Sequence, residues 1–268
     1  MARRSRAAQK KKRGEILKAI VALLVVAAVI AVGVWLYSNR DVAPDKTTLC
    51  QASGPLGHYV VLIDNTDPYR FIQREAFLQR IKTLATKNVP EGYLVSVYLL
   101  GSDFTQNSKP VFEKCNPGQG GDKTEMNSNL QRVKKRYQSG FIEPLVAMAD
   151  SMLLKESSSQ SPIFEMLKIA GIGFERINAP KDRRKLIMFS DMIPNTKEFS
   201  MYKGVVDFVA FDKSPYGQIS RSSLHNVEVE IELLKNRPDI QNEKIIHFWE
   251  GYFEKSGASL VSKNDMDG

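Results

Sequence analysis

The chain has 268 residues, 43% apolar and 25% charged, with a formal net charge of +8 and two cysteines. Residues 1–18 hold eight Lys or Arg against one Glu, so the remainder carries only +1. A near-neutral body excludes binding to a phosphate backbone through a broad basic face, and no nucleic-acid partner is expected.

Residues 1–18 read as a basic cytoplasmic arm. Residues 19–37, AIVALLVVAAVIAVGVWLY, carry no charge. As a helix they span about 28 Å, the thickness of a bilayer's hydrocarbon core. Trp35 and Tyr37 fall at the far end, where aromatic rings favour the membrane interface, and the basic arm in front stays on the cytoplasmic side. The expectation is a retained signal-anchor and a single-pass protein whose later residues lie outside the cytoplasm, in the periplasm if the source is bacterial. A cleaved signal peptide is the competing reading, but small residues at cleavage spacing are missing from VWLYSNRD. The run holds no ionisable residue, which argues for anchoring rather than transport.

Residues 38–57 lack periodicity and read as a tether. Cys50 lies in it, and Cys115 lies in the body; in an oxidising compartment they are a disulfide candidate, with two free thiols as the alternative. His58, His225 and His247 are scattered without a close second ligand, against a zinc site. Residues 58–268 are long enough for one domain with its own core.

Within that domain, 58–63 (HYVVLI) is a continuously apolar, β-branched strand of the doubly buried type. A helix is predicted over 69–87, a strand over 93–100 and a short strand at 110–114. Helices follow over 127–154 and 162–177, and KLIMFS (185–190) is again a buried strand. Residues 204–211 read as an extra strand or an inward-packing loop. Residues 226–234 alternate apolar and acidic, which suggests a strand nearer an edge, and a helix covers 241–255. Strands alternating with helices predict an α/β fold: a doubly wound, mostly parallel sheet with helices on both faces.

Two apolar strands stop at carboxylates, where open parallel sheets collect ligands. The first gives Ile63-Asp64-Asn65-Thr66-Asp67-Pro68, the second Phe189-Ser190-Asp191-Met192, and Ser161-Pro162 opens a helix between them. Carboxylate and hydroxyl oxygens without thiols or imidazoles suit a hard cation, Mg²⁺ before Ca²⁺ or Mn²⁺. Each element also has a structural explanation: Asp64 and Thr66 as a turn, Ser161-Pro162 as a helix start, Asp191 as a loop cap.

In this order the residues resemble the von Willebrand factor type A domain. Its metal-ion-dependent adhesion site uses Asp-x-Ser/Thr-x-Ser after the first strand, a middle-loop Thr and a later strand-end Asp. Asp64 and Thr66 match the opening motif, Ser161 stands for the middle-loop Thr, and Asp191 matches the last position. The resemblance implies Asp64, Thr66, Ser161 and Asp191 as metal ligands, with Asp67 and Ser190 behind them. Pro68 replaces the motif's final Ser and supplies no hydroxyl, so the site is partly degenerate. Asp67 acting through a water and a metal-free docking surface both remain open.

The resemblance implies a membrane-anchored protein-binding module that takes an acidic side chain of a protein partner, with the lipid membrane met by residues 19–37. A Mg²⁺-dependent phosphohydrolase of the haloacid-dehalogenase type is the enzymatic alternative, but it requires a carboxylate where Thr66 stands. A metal-free scaffold in an envelope complex is the third reading.

Overall fold

The computed structural model describes residues 2–38, 44–101, 108–120, 130–153, 158, 160–204 and 206–266. It divides into two units, residues 1–43 and 44–268. The first is one helix, α1 (Ala2–Ser38). Its stretch Arg13–Trp35, 23 residues, is long and apolar enough to cross a membrane. That stretch begins and ends earlier than the 19–37 read from the sequence, because hydropathy alone tolerates the charges at its amino end.

The second unit is built on a six-stranded sheet in the order β3-β2-β1-β4-β5-β6. The strands are β1 (Gly57–Asp64), β2 (Tyr93–Leu100), β3 (Phe112–Cys115), β4 (Arg184–Ser190), β5 (Val227–Leu234) and β6 (Ala258–Met266). All neighbours run parallel except β3 on β2. The order reverses between β1 and β4, the switch point at which doubly wound sheets open a crevice.

Alternation along β1 feeds two cores. Val60 and Leu62 pack with α5 (Ile163–Arg176) and α8 (Glu243–Lys255). Val61 and Ile63 face α2 (Phe71–Thr83) and the helical run of α3 (Leu130–Lys135), a π-helical turn (Arg136–Ile142) and α4 (Glu143–Met152). A second π-helical turn, Leu84–Asn88, closes α2. The first core has an aromatic hub: Phe164 lies 5.2 Å from Trp249 and 4.9 Å from Phe211, which fixes the start of α5.

The structure corrects two expectations. Residues 44–56 are not free tether: Leu49 is buried, Cys115 N–H donates to the Thr48 carbonyl, and Cys50 is bonded to Cys115. A bridge closing a 65-residue separation restricts the unfolded chain by about 4 kcal/mol in the loop-entropy view. The 204–211 segment is neither strand nor inward loop but leads into α6 (Phe208–Lys213), followed by α7 (Pro215–Ile219). Asp207 caps α6 by accepting from Val209 and Ala210 N–H, and Ser214 caps α7. β5 lies one strand in from the edge formed by β6, in keeping with a strand nearer an edge. The expected helical stretch over 127–154 runs unbroken from 130 to 152, with a π-helical turn between α3 and α4. Its ends at 127–129 and 154, like tether residues 39–43, position 205 and domain residues 267–268, lie outside the described residues.

Candidate functional site

Parallel register sets the site. Ile63 is level with Phe189, so the next residues, Asp64 and Ser190, stand side by side at the carboxyl ends of β1 and β4. Asp64 continues the Val60–Leu62 face, toward the loop that opens α5, and Ser161 lies on that loop.

The Asp64 carboxylate collects three hydroxyls. Its Oδ1 accepts from Thr66 Oγ1 at 2.6 Å and from Thr66 N–H at 3.0 Å. Its Oδ2 accepts from Ser190 Oγ at 2.8 Å and from Ser161 Oγ at 3.4 Å. Ser161 is held by paired backbone hydrogen bonds with Asn195, on the loop beyond β4. Asp191 accepts from Ile193 N–H at 2.9 Å. Its backbone carbonyl accepts from Gln241 Nε2 at 2.9 Å, tying the loop to the start of α8. Met192 then adopts a left-handed φ of 59°, with its carbonyl accepting from Trp249 Nε1. A side-chain-bearing residue there costs on the order of 1–3 kcal/mol, and such strain tends to gather at functional sites.

All five side chains are buried: Asp64, Thr66, Ser161, Ser190 and Asp191. Burial pushes the Asp64 carboxyl above its usual range, with Asp67 adding repulsion. Burial and then the Asp64 charge push Asp191 well above it. Among the described residues no basic side chain forms an ion pair with either aspartate. Two buried carboxylates without a counter-charge are costly unless a proton or a cation joins them. The donor set, two carboxylates and hydroxyls, matches a hard divalent ion. Among the described residues no group of three or more His, Cys, Asp or Glu side chains is placed to hold a metal ion by itself.

The structure thus brings Asp64, Thr66, Ser161 and Ser190 into direct contact and places Asp191 within their electrostatic reach. Asp67 is half-buried; it adds charge to both aspartates but no hydrogen bond among the described residues. Ser190 is the hydroxyl on Asp64 Oδ2 that Pro68 does not provide. Sequence reading missed Tyr69, whose hydroxyl donates to the Asp64 carbonyl, and Gln241. Neither carries a motif, although Gln241 just before the helix-capping Asn242 was a visible signal.

No protein-family model and no curated protein matches the chain. Among solved structures it is similar to the crystal structure of the SpRpn10 VWA domain, at 10% identity and a TM-score of 0.41, over 79% of this chain and 88% of that one. It is also similar to the crystal structure of the ArnB paralog VWA2 from Sulfolobus acidocaldarius, at 14% identity and a TM-score of 0.42. That match covers 80% of this chain and 42% of the other, less than half its length. Both are von Willebrand factor type A domains by description, the family the strand-end residues resemble.

Proposed function

We propose that residues 44–268 form a non-catalytic protein-binding module of the von Willebrand factor A type. The helix containing Arg13–Trp35 holds it at a membrane, outside the cytoplasm, where the Cys50–Cys115 bridge is stable. Its rim at the strand carboxyl ends takes an acidic side chain of a protein partner through a divalent cation, Mg²⁺ before Ca²⁺ or Mn²⁺. Asp64, Thr66, Ser161 and Asp191 offer the oxygens, and Ser190 orients Asp64. The observation that carries this reading is the convergence of Asp64 and Asp191, buried and without a basic partner, at the switch point of the sheet.

A metal-free docking surface is the second reading, favoured by the four hydrogen bonds that already satisfy Asp64. A phosphohydrolase is disfavoured by Thr66, whose hydroxyl serves Asp64 instead of providing a second acid.

Melting the full chain in detergent with Mg²⁺ and with chelator separates the two. Ion binding at a hundredfold excess over Kd adds about 2.7 kcal/mol, a rise on the order of 5–10 °C. Asp64→Ala abolishes the rise; an unchanged rise in that variant removes Asp64 from the ligand set. No rise in the parent protein leaves the metal-free surface.

A further inference from the structure

Ten large apolar side chains of residues 44–268 are exposed among the described residues, and the most exposed is Phe71, at 78%. Ile72 beside it is 61% exposed, and Tyr202 is 40% exposed. These three do not lie on a remote face. Phe71 and Ile72 open α2 directly after the loop that carries Asp64 and Thr66. Tyr202 stands on the loop that follows Asp191, and burial together with the Asp191 charge holds its phenol up at about 12. A phenylalanine and an isoleucine left in water at one helix start mark an interaction surface more than a packing need.

The two loops are tied into one rim. Arg70 N–H donates to Gln73 Oε1 at 3.0 Å, and Gln73 Nε2 donates to Asn236 Oδ1 at 3.1 Å. The next residue, Arg237, lies over the Tyr202 ring at 5.4 Å. Phe71–Ile72 follows the loop that leaves Asp64 and Tyr202 follows the one that leaves Asp191, with Tyr202 in electrostatic reach of both aspartates. Arg70 and Lys203, one on each loop, are exposed and form no ion pair among the described residues. The rim is apolar and basic above an acidic floor that calls for a cation.

We propose that this rim recognises an extended peptide segment in which one Asp or Glu is flanked by large apolar side chains. The carboxylate sits over the Asp64–Asp191 floor, and its apolar neighbours pack on Phe71–Ile72 and on Tyr202. Arg70 and Lys203 favour a segment with further negative charge. The carboxylate part rests on the cation reading above; the apolar part does not.

The test uses the full chain in phosphatidylcholine nanodiscs, with empty nanodiscs as the blank. Phage-displayed random nonapeptides are panned against it in Mg²⁺, and the recovered peptides are measured by fluorescence anisotropy. The expected result is enrichment of a single Asp or Glu between large apolar residues, with at least tenfold weaker binding when those apolar residues are replaced by serine. Phe71→Ser combined with Ile72→Ser removes that preference and leaves the Mg²⁺-induced rise in melting temperature unchanged. Recovery of no peptide, enrichment without flanking apolar residues, or equal binding by the double variant overturns the proposal. If apolar preference persists while Mg²⁺ changes neither binding nor melting, the cation reading falls and the apolar rim stands.

Discussion

The molecule buries carboxylates in two places and treats them in opposite ways. Along β5, Glu228, Glu230 and Glu232 point to the same face of the sheet, the first exposed, the second half-buried and Glu232 buried, and basic side chains from distant segments meet them. Lys185 Nζ lies 2.8 Å from Glu230 and 3.3 Å from Glu228. Arg80 bridges Glu232 at 2.5 Å and Glu230 at 3.2 Å, and Asn264 donates to Glu232. At the strand ends, Asp64 and Asp191 are buried as deeply, yet only hydroxyl and amide donors reach them. The same chemical group has its counter-charge built in along β5 and, among the described residues, none at the strand ends.

Breaking the compensated region has the largest expected effect. Arg80→Ala leaves Glu232 buried without its cation and costs about 3–5 kcal/mol, read as a fall in melting temperature that is the same with Mg²⁺ or chelator. A loss below about 1 kcal/mol would show that water or Asn264 already carries the charge, and the contrast would weaken. The uncompensated region behaves in reverse. Asp64→Asn keeps the side chain's shape and removes one of two like charges, so the melting temperature in chelator holds or rises, while the Mg²⁺ increment of about 2.7 kcal/mol disappears. A variant that melts lower in chelator by several degrees would instead make Asp64 a structural group, like Glu232.

His58 shows a third treatment, a buried base kept neutral. Its Nε2 sits 2.9 Å from Ser96 Oγ, its ring meets Phe174 edge-on, and burial, with Arg176 and Arg184 nearby, depresses its pKa to about 3. The unfolded chain protonates this ring near pH 6.5, and the folded one does not until about 3. The contribution is therefore complete above pH 6.5 and is lost as pH falls, at up to about 1.4 kcal/mol per unit. Between pH 6.5 and 5 this amounts to about 2 kcal/mol, and His58→Gln flattens that part of the denaturant-midpoint profile. An equally steep profile in the variant assigns the acid sensitivity elsewhere.

The doubly buried strands were legible because their apolar runs leave no other reading: HYVVLI, YLVSVYLL and KLIMFS became β1, β2 and β4 with little change in their bounds. The aspartates at their ends were legible for the same reason, since a charge that stops an apolar strand is conspicuous. β5 was read from its alternating glutamates as nearer an edge and lies one strand in; only the fold brings Arg80 and Lys185 over those glutamates. β6 went unread: ASLVSKNDM has few apolar positions, and a bulge beside Val229 and Glu230 breaks their alternation. The helices α6 and α7 had written signals, Asp207 and Ser214-Pro215, hidden by the apolar residues between them. Ser190 was visible only as a neighbour of Asp191; its contact with Asp64 is a product of register across strands far apart in sequence.

The bridge from Cys50 to Cys115 has a mechanical consequence. Cys115 is level with Leu94, and Leu94 with His58, so the chain is riveted beside the first residues of β1 and β2. Asp64 ends β1 at the opposite margin, roughly 20 Å along the strand from His58. A pull entering through residue 44 passes through the bridge into β3 as well as along the chain into β1, and a pull on the opposite margin loads β1 lengthwise, in shear against the hydrogen bonds of β2 and β4. Load in that direction falls on those hydrogen bonds together and not on one bond at a time.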